Sequence, residues 1–304
     1  MHCDHFTASV AGIHLRFHAD GCVFADNTFN GFEVDSADMA ADVVDITVRL
    51  ADQVDMPRAS DIRFSATNEA FDDMPRTEWH LSKAEGSDGE ETITQCCGEE
   101  RNVRRASIRY GKGGAVLTIS HARDTHGVAH PLVFPLFNIF LSRLLLRREG
   151  FLIHSSVVRD ASGNGLLFTA KSGTGKSTIA HIFESEGATI VNDDMLAIRR
   201  GRGGDAPTAY AIPMPAYAQQ PRSARLSGLF LISQSPANEM TRTGGAAGMA
   251  RLMSNVIMQP FDAENAAMAA QNVISSFSST PTFTLGFKPD KEVVRVVRSG
   301  MAGA

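Results

Sequence analysis

Nine consecutive residues, Ala170-Lys171-Ser172-Gly173-Thr174-Gly175-Lys176-Ser177-Thr178, have the types and spacing of a phosphate-binding P-loop (a Walker A motif), with Ala170 where such a loop usually opens on glycine. Gly173 and Gly175 allow the backbone to turn its N–H groups toward phosphate oxygens at a helix N-terminus. Lys176 supplies a mobile cation for the outer phosphates, and the Ser177 hydroxyl is a ligand for Mg²⁺. The apolar run Leu166–Thr169 precedes the loop and Ile179 to Phe183 follows it, which is the strand–loop–helix order the chemistry needs. The pattern points to ATP with Mg²⁺ and is silent on the fate of the γ-phosphate.

A second group narrows this. Counting from Ser177, the helix stops at Glu186-Gly187, and Ala188-Thr189-Ile190-Val191 reads as a strand ending in Asn192-Asp193-Asp194. A helix of about 10 residues climbs about 15 Å, and a strand of about 5 returns about 16 Å. Asp193 and Asp194 therefore come back to the level of Lys176. Two carboxylates there suit two tasks, accepting a proton from an attacking hydroxyl and holding Mg²⁺ directly or through water. Capping the turn at a strand end is the plainer role for either of them.

Phe151-Leu152-Ile153-His154-Ser155-Ser156-Val157-Val158, then Ala170 to Thr178, then Ala188 to Leu196, together resemble the nucleotide-binding core of the HPr kinase/phosphorylase superfamily, related in fold to phosphoenolpyruvate carboxykinase. Weaker similarity extends through Leu226 to Ser233 and Phe283 to Asp290. The resemblance implies a kinase that transfers the γ-phosphate of ATP to a serine-type hydroxyl on a small protein, peptide or metabolite. It implies Asp193 as the catalytic base, Lys176 at the β/γ-phosphates, and His154, on the strand before the loop, lining the same site. Without the resemblance, His154 reads as a core or edge histidine. After the aspartate pair the family carries a Glu-rich signature with Arg-Gly that places a metal-binding glutamate. The corresponding stretch here, Tyr210-Ala211-Ile212-Pro213-Met214-Pro215, has no carboxylate. Ser177, from the loop, and Asp194, from the carboxylate pair, are the metal ligands expected, and the missing glutamate favours the rival reading of a nucleotide-gated binding module with little or no phosphotransfer. The chain is more similar to stand-alone HPr kinase-related proteins than to HPr kinase itself.

The elements that must position these residues are legible in outline. The first 130 residues are strand-rich: Ile13–Phe17, Val44–Val48 and Ala115–Ile119 alternate or are β-branched, with turn-rich stretches at 83–91 and 111–114. From 131 onward a helix is expected from Leu132 through Leu136, Ile139, Phe140, Arg143, Leu144 and Arg147, stopped at Glu149-Gly150. Phe151–Val158 reads as one apolar strand, Leu229–Ile232 as a buried strand, and Gly201–Asp205 as a loop. Ala246–Ala270 is expected to be mostly helical with a break at Pro260, and Val293–Val297 is a short helix or a strand. The expected fold class is α/β (α+β): a P-loop core of the HPr kinase/phosphoenolpyruvate carboxykinase type over 131–304, with a strand-rich N-terminal domain over 1–130 for substrate or partner binding.

Composition sets the outer bounds. The 304 residues suggest two domains, and 43% hydrophobic with 21% charged residues is a folded composition. A formal charge of −5, from 29 Lys+Arg against 34 Asp+Glu, argues against nucleic acid as a partner. Leu132–Leu146 is too short and too interrupted by Pro135, Asn138 and Arg143 to span a membrane. Met1–His5 is polar and lacks the secretory pattern, and the four cysteines form no disulfide framework, so a cytoplasmic location is expected. Met249, Met253, Met258 and Met268 read as core or interface, which leaves room for self-association. Arg222 and Arg225 read as solvated arginines with a second option of reaching phosphate; His2, Cys3 and His5 read as a frayed terminus, and Cys96-Cys97 as ordinary thiols.

Overall fold

The alternating runs of the N-terminal half are strands in the computed structural model, which describes residues 2–29, 31–35, 42–68, 76–83, 90–96, 103–121, 124–214, 220–243, 246–258 and 263–302. Cys97, Pro215, Pro260 and most of the 83–91 turn lie outside the described residues. The chain divides into two units, Met1–Leu141 with Pro213–Gln220, and Ser142–Ile212 with Pro221–Ala304.

The first unit contains β1 (His2–Cys3), β2 (His5–Val10), β3 (Ile13–Asp20), β4 (Val23–Ala25), β5 (Glu33–Val34) and β6 (Val43–Leu50). These are followed by β7 (Ile62–Asn68), β8 (Thr77–Lys83), β9 (Glu91–Cys96), β10 (Val103–Gly111), β11 (Gly114–His121) and β12 (Val128–Ala129). Among the described residues they form a nine-stranded sheet, β5-β2-β3-β6-β11-β10-β9-β8-β7, and a small one, β1-β4-β12. In the large sheet β6 runs parallel to β3 and β11, and every other pairing is antiparallel. Period-two alternation sends Ala115, Leu117 and Ile119 of β11 inward. The core holds an aromatic cluster in which Phe6 stacks on Phe17 at 4.7 Å and Phe29 lies 4.8 Å from Phe17.

Helix α1 (Leu136–Leu146) brings Phe137 to 5.3 Å from Phe29 and Phe140 to 5.2 Å from Tyr110. It starts at Leu136, four residues later than the spacing from Leu132 suggests. The residue before a proline is disfavoured in the α region, so Phe134 ahead of Pro135 sets the boundary.

The second unit contains β13 (Gly150–His154), β14 (Ser156–Arg159), β15 (Gly165–Thr169), α2 (Lys176–Ser185), β16 (Thr189–Asn192), β17 (Met195–Arg199) and β18 (Thr208–Ala211). Then come β19 (Ser223–Gln234), β20 (Glu239–Thr243), α3 (Ala246–Met253), β21 (Val256–Ile257), α4 (Ala263–Phe277), β22 (Thr282–Phe287) and α5 (Glu292–Ala302). Its strands join in the order β16-β14-β15-β19-β18-β17-β13-β21, with β22 beside β19 and β20 beside β22. The long β19 is the hinge of this arrangement: it runs parallel to β15 and β22 and antiparallel to β18. Two core clusters cover the strands. One gathers Ile179, Ala180 and Phe183 of α2 with Val293, Val294 and Val297 of α5, and the other takes Leu252 of α3 with Ala269, Val273 and Phe277 of α4. The chain is therefore of the mixed α+β class. Among the described residues no helix is long and apolar enough to cross a membrane.

Three expectations are refined here, and one left open between helix and strand is decided. Phe151–Val158 is two strands, because at Ser155 the backbone N–H turns to the Asp194 carbonyl (2.9 Å); β13 continues with β17 and β21 while β14 pairs with β15 and β16. Ala246–Ala270 is two helices separated by β21, whose β-branched Val256-Ile257 pairs with β13. The Gly201–Asp205 loop tightens into a turn at Arg202–Gly204 that is kinked, not helical, because Gly203 and Gly204 have positive φ. Val293–Val297 belongs to a helix, α5, since Val293, Val294 and Val297 share one buried face at helical spacing.

Phe168, Phe230 and Phe283 stack in series with centroids 5.2 and 5.3 Å apart, and Phe183 lies 5.2 Å from Phe168. Phe230→Ala opens the middle of this stack and is expected to cost about 3–5 kcal/mol, read as a lowered urea midpoint. In the first unit Asp45 accepts from Arg16 Nε (2.5 Å) and Nη2 (2.9 Å), which with His18 holds its carboxyl at about 2, below the ordinary 3.8. A carboxyl depressed in the folded state adds stability that is full above its unfolded value and is lost as pH falls toward 2. Asp45→Asn is expected to flatten this acid limb of the urea-midpoint profile. At neutral pH its cost stays under about 1 kcal/mol, because the pair is half exposed.

Candidate functional site

The loop 170–175 leaves the parallel strand β15 and delivers the chain into α2 through Gly175, the N-cap residue, at φ 106°. A side chain there would be strained, and a Cβ would sit 2.8 Å from Phe287 Cζ. Gly173 also has positive φ, 76°. Among the described residues no side chain caps α2, and its first N–H groups point out of the helix end. The helix buries Ile179, Ala180 and Phe183, which fixes the direction of that end.

Lys176 is buried, and its ammonium donates to the carbonyls of Ala170 (3.1 Å) and Lys171 (3.3 Å). Burial pushes its pKa down, and the nearby Asp194 carboxylate opposes that shift. Lys171 and Ser172 are exposed, as is Ser177, whose hydroxyl donates to the Asp193 backbone carbonyl at 3.5 Å. Thr174 N–H donates back to Lys171 O, and Thr178 is exposed on the first turn of α2.

Strand β16 returns beside β14 and ends at Asn192. The buried Asn192 side chain makes the turn: its Oδ1 accepts from Asp193 N–H (2.7 Å) and Asp194 N–H (3.3 Å), while its amide donates to the Met195 carbonyl. From the other side, Ser156 Oγ donates to Asp193 O at 3.3 Å. Around this turn His154 Nε2 lies 3.5 Å from Asp194 Oδ1, and His181 Nε2 lies 3.9 Å from Asp193 Oδ2. Burial chiefly, and then the Lys176 charge, push the His154 pKa down, with Asp194 pulling it back.

The structure thus brings together Lys176, Ser177, Asp193, Asp194 and His154, each read from the sequence, and adds two residues that the sequence reading missed. Asn192 is one; its signal is an Asx residue at a strand end, a type that bonds the backbone two residues on. His181 is the other; it sits four residues after Ser177 in α2 and therefore on the same face. Arg222 and Arg225 are engaged away from the loop, with the Ile190 carbonyl (2.8 Å) and with Asp205 (2.7 Å). Among the described residues no three His, Cys, Asp or Glu side chains form a cluster able to hold a metal. The oxygen donors near the loop suit a hard cation that takes one or two protein ligands and completes its shell with phosphate and water.

Comparison of the sequence with protein-family models and with curated proteins returns no match. Among solved structures, the HPr(Ser) kinase/phosphatase from Coxiella burnetii is matched at a TM-score of 0.29 and 9% identity, over 50% of this chain and 97% of that one.

A histidine held below its ordinary 6.5 is neutral in the folded protein where the unfolded chain already takes a proton. Its contribution to stability is full above 6.5 and is lost as pH falls through the folded value. His154→Gln is therefore expected to lessen the drop in urea midpoint between about pH 7.5 and about pH 5.5, with the unsubstituted protein measured in parallel.

Proposed function

We propose that the chain is an ATP-dependent phosphotransferase, moving the γ-phosphate to a serine-type hydroxyl of a small protein, peptide or metabolite. The observation that supports this most is the contact of the aspartate turn with the first turn of α2, where Ser177 Oγ meets the Asp193 carbonyl. A carboxylate is thereby held beside a loop built to bind phosphate.

In this reading the amides of 170–178 cradle the β- and γ-phosphates, with Gly173 and Gly175 permitting the turn. Lys176 exchanges the carbonyls of Ala170 and Lys171 for phosphate oxygens, which are stronger partners because they are charged. Asp193 accepts the proton of the acceptor hydroxyl as that oxygen bonds to the γ-phosphorus. The bond to the β-phosphate oxygen breaks, and ADP leaves with its electron pair. Ser177 and Asp194 are the residues that would hold Mg²⁺, which neutralises charge on the outer phosphates. His154, largely neutral beside Asp194, orients that carboxylate.

A nucleotide-gated binding module is the second reading. It is favoured by Ala211, Ile212 and Met214, buried apolar residues in the stretch that resembles the position of a metal-binding glutamate.

Calorimetry with Mg²⁺–ATP, followed by γ-labelled ATP with cell extract, tests both. The unsubstituted protein is expected to bind and to transfer label to a small acceptor. Lys176→Ala is expected to abolish binding. Asp193→Asn is expected to keep binding and to lose transfer by about 100-fold or more. Label transfer undiminished in Asp193→Asn removes the base assignment, and binding without transfer in the unsubstituted protein favours the module.

A further inference from the structure

The first unit has a feature that the phosphotransfer reading leaves unused. The nine-stranded sheet buries one face in the aromatic core, and its other face carries hydroxyls and arginines in register. Ser107 of β10 pairs with Thr118 of β11 and Thr94 of β9; one step along, Arg109 pairs with Val116 and Thr92. An ordinary solvated sheet face has this composition, but this one is roofed. The segment 51–61 is tied to β11 by Ala51 N–H donating to Ile119 O (2.9 Å) and by Ser120 Oγ donating to Asp52 O (2.8 Å), and Val54 is buried beneath it. Between floor and roof lies an open cavity of about 430 Å³, within the roughly 300–1,000 Å³ of small-molecule sites.

The charges in the cavity are sorted by wall. Arg49 and Arg109 stand on the sheet, whereas Asp55 and Asp61 stand on the roofing segment. Arg49 is already paired with Asp20 at 2.5 Å. The Arg109 side chain makes no hydrogen bond or ion pair with any described residue, and neither does that of Asp55; Asp61 accepts only from its neighbour Ser60. Opposite charges therefore line one cavity without closing on each other. A ligand that meets both walls needs an anionic group for the arginine, a cationic group for the aspartates, and hydrogen-bonding groups for Thr92 and Ser107.

We propose that this cavity binds a short peptide with free termini and polar side chains, its carboxylate on Arg109 and its ammonium on Asp55 and Asp61. The guanidinium is the residue type that takes a carboxylate with two parallel bonds. This inference does not rest on the nucleotide reading.

The test is calorimetry on the full chain without nucleotide, using triserine, its N-acetylated form, its C-amidated form and inorganic phosphate as probes. Triserine is expected to bind, and each blocked form to bind about tenfold more weakly or worse. Arg109→Ala is expected to equalise triserine and its amide, and a double variant with Asp55→Asn and Asp61→Asn to equalise triserine and its N-acetyl form. Circular dichroism confirms that both variants stay folded; if either does not, Arg109→Gln and Asp55→Asn alone replace them. Blocked peptides binding as well as the free one, phosphate alone matching triserine, or no binding of any probe at about 10 mM overturns the proposal.

Discussion

A buried ammonium is the constraint around which the second unit is arranged. Lys176 is shielded from solvent, and a cation in that position is tolerable only while something negative or strongly dipolar faces it. The chain meets the demand from within, through two carbonyls of the loop that Lys176 itself closes, with the Asp194 carboxylate nearby. Those carbonyls are held by position in the loop, not by a regular ladder, so they are exchangeable for a better acceptor. The left-handed Gly175, packed on Phe287, fixes where the loop ends and the helix begins. The uncapped amides and the lysine therefore address the same small region.

The aspartate turn depends on the same economy of local bonds. One amide side chain, Asn192, satisfies two successive backbone N–H groups and a carbonyl, which fixes the turn that carries both following carboxylates. Backbone carbonyls of the pair are then tied from outside, Asp193 O by Ser156 and Ser177 hydroxyls and Asp194 O by the Ser155 N–H. The break between β13 and β14 is what supplies Ser155 and Ser156. Had Phe151–Val158 run on as one strand, Ser155 would have given its N–H to a ladder partner and the turn would have lost an anchor.

The first unit applies a different rule. Strands β6 and β11 alternate along most of their length, so each contributes to the buried core and to a more polar face at once. Covering a polar face is costly unless its groups are satisfied, and a cavity open to water meets that condition where tight packing would not.

The sequence alone determined the chemistry-bearing loop, the length of the helix after it and the return of the aspartate pair. Each follows from short-range rules: glycines that permit positive φ, a rise of about 1.5 Å per helical residue and about 3.3 Å per strand residue. The alternating strands of the first half were legible for the same reason. Tertiary structure decided the rest. Whether β-branched Val256-Ile257 extends a helix or adds an edge to β13 depends on a free sheet edge more than a hundred residues upstream, and the split at Ser155 depends on a carbonyl at 194. The unpaired charges over the sheet belong to the same class, since Asp55 and Arg109 meet one cavity only after β6, β11 and β10 have found their register. Local propensity carries no record of such partners, because their effect exists only once distant segments have been brought within bonding distance.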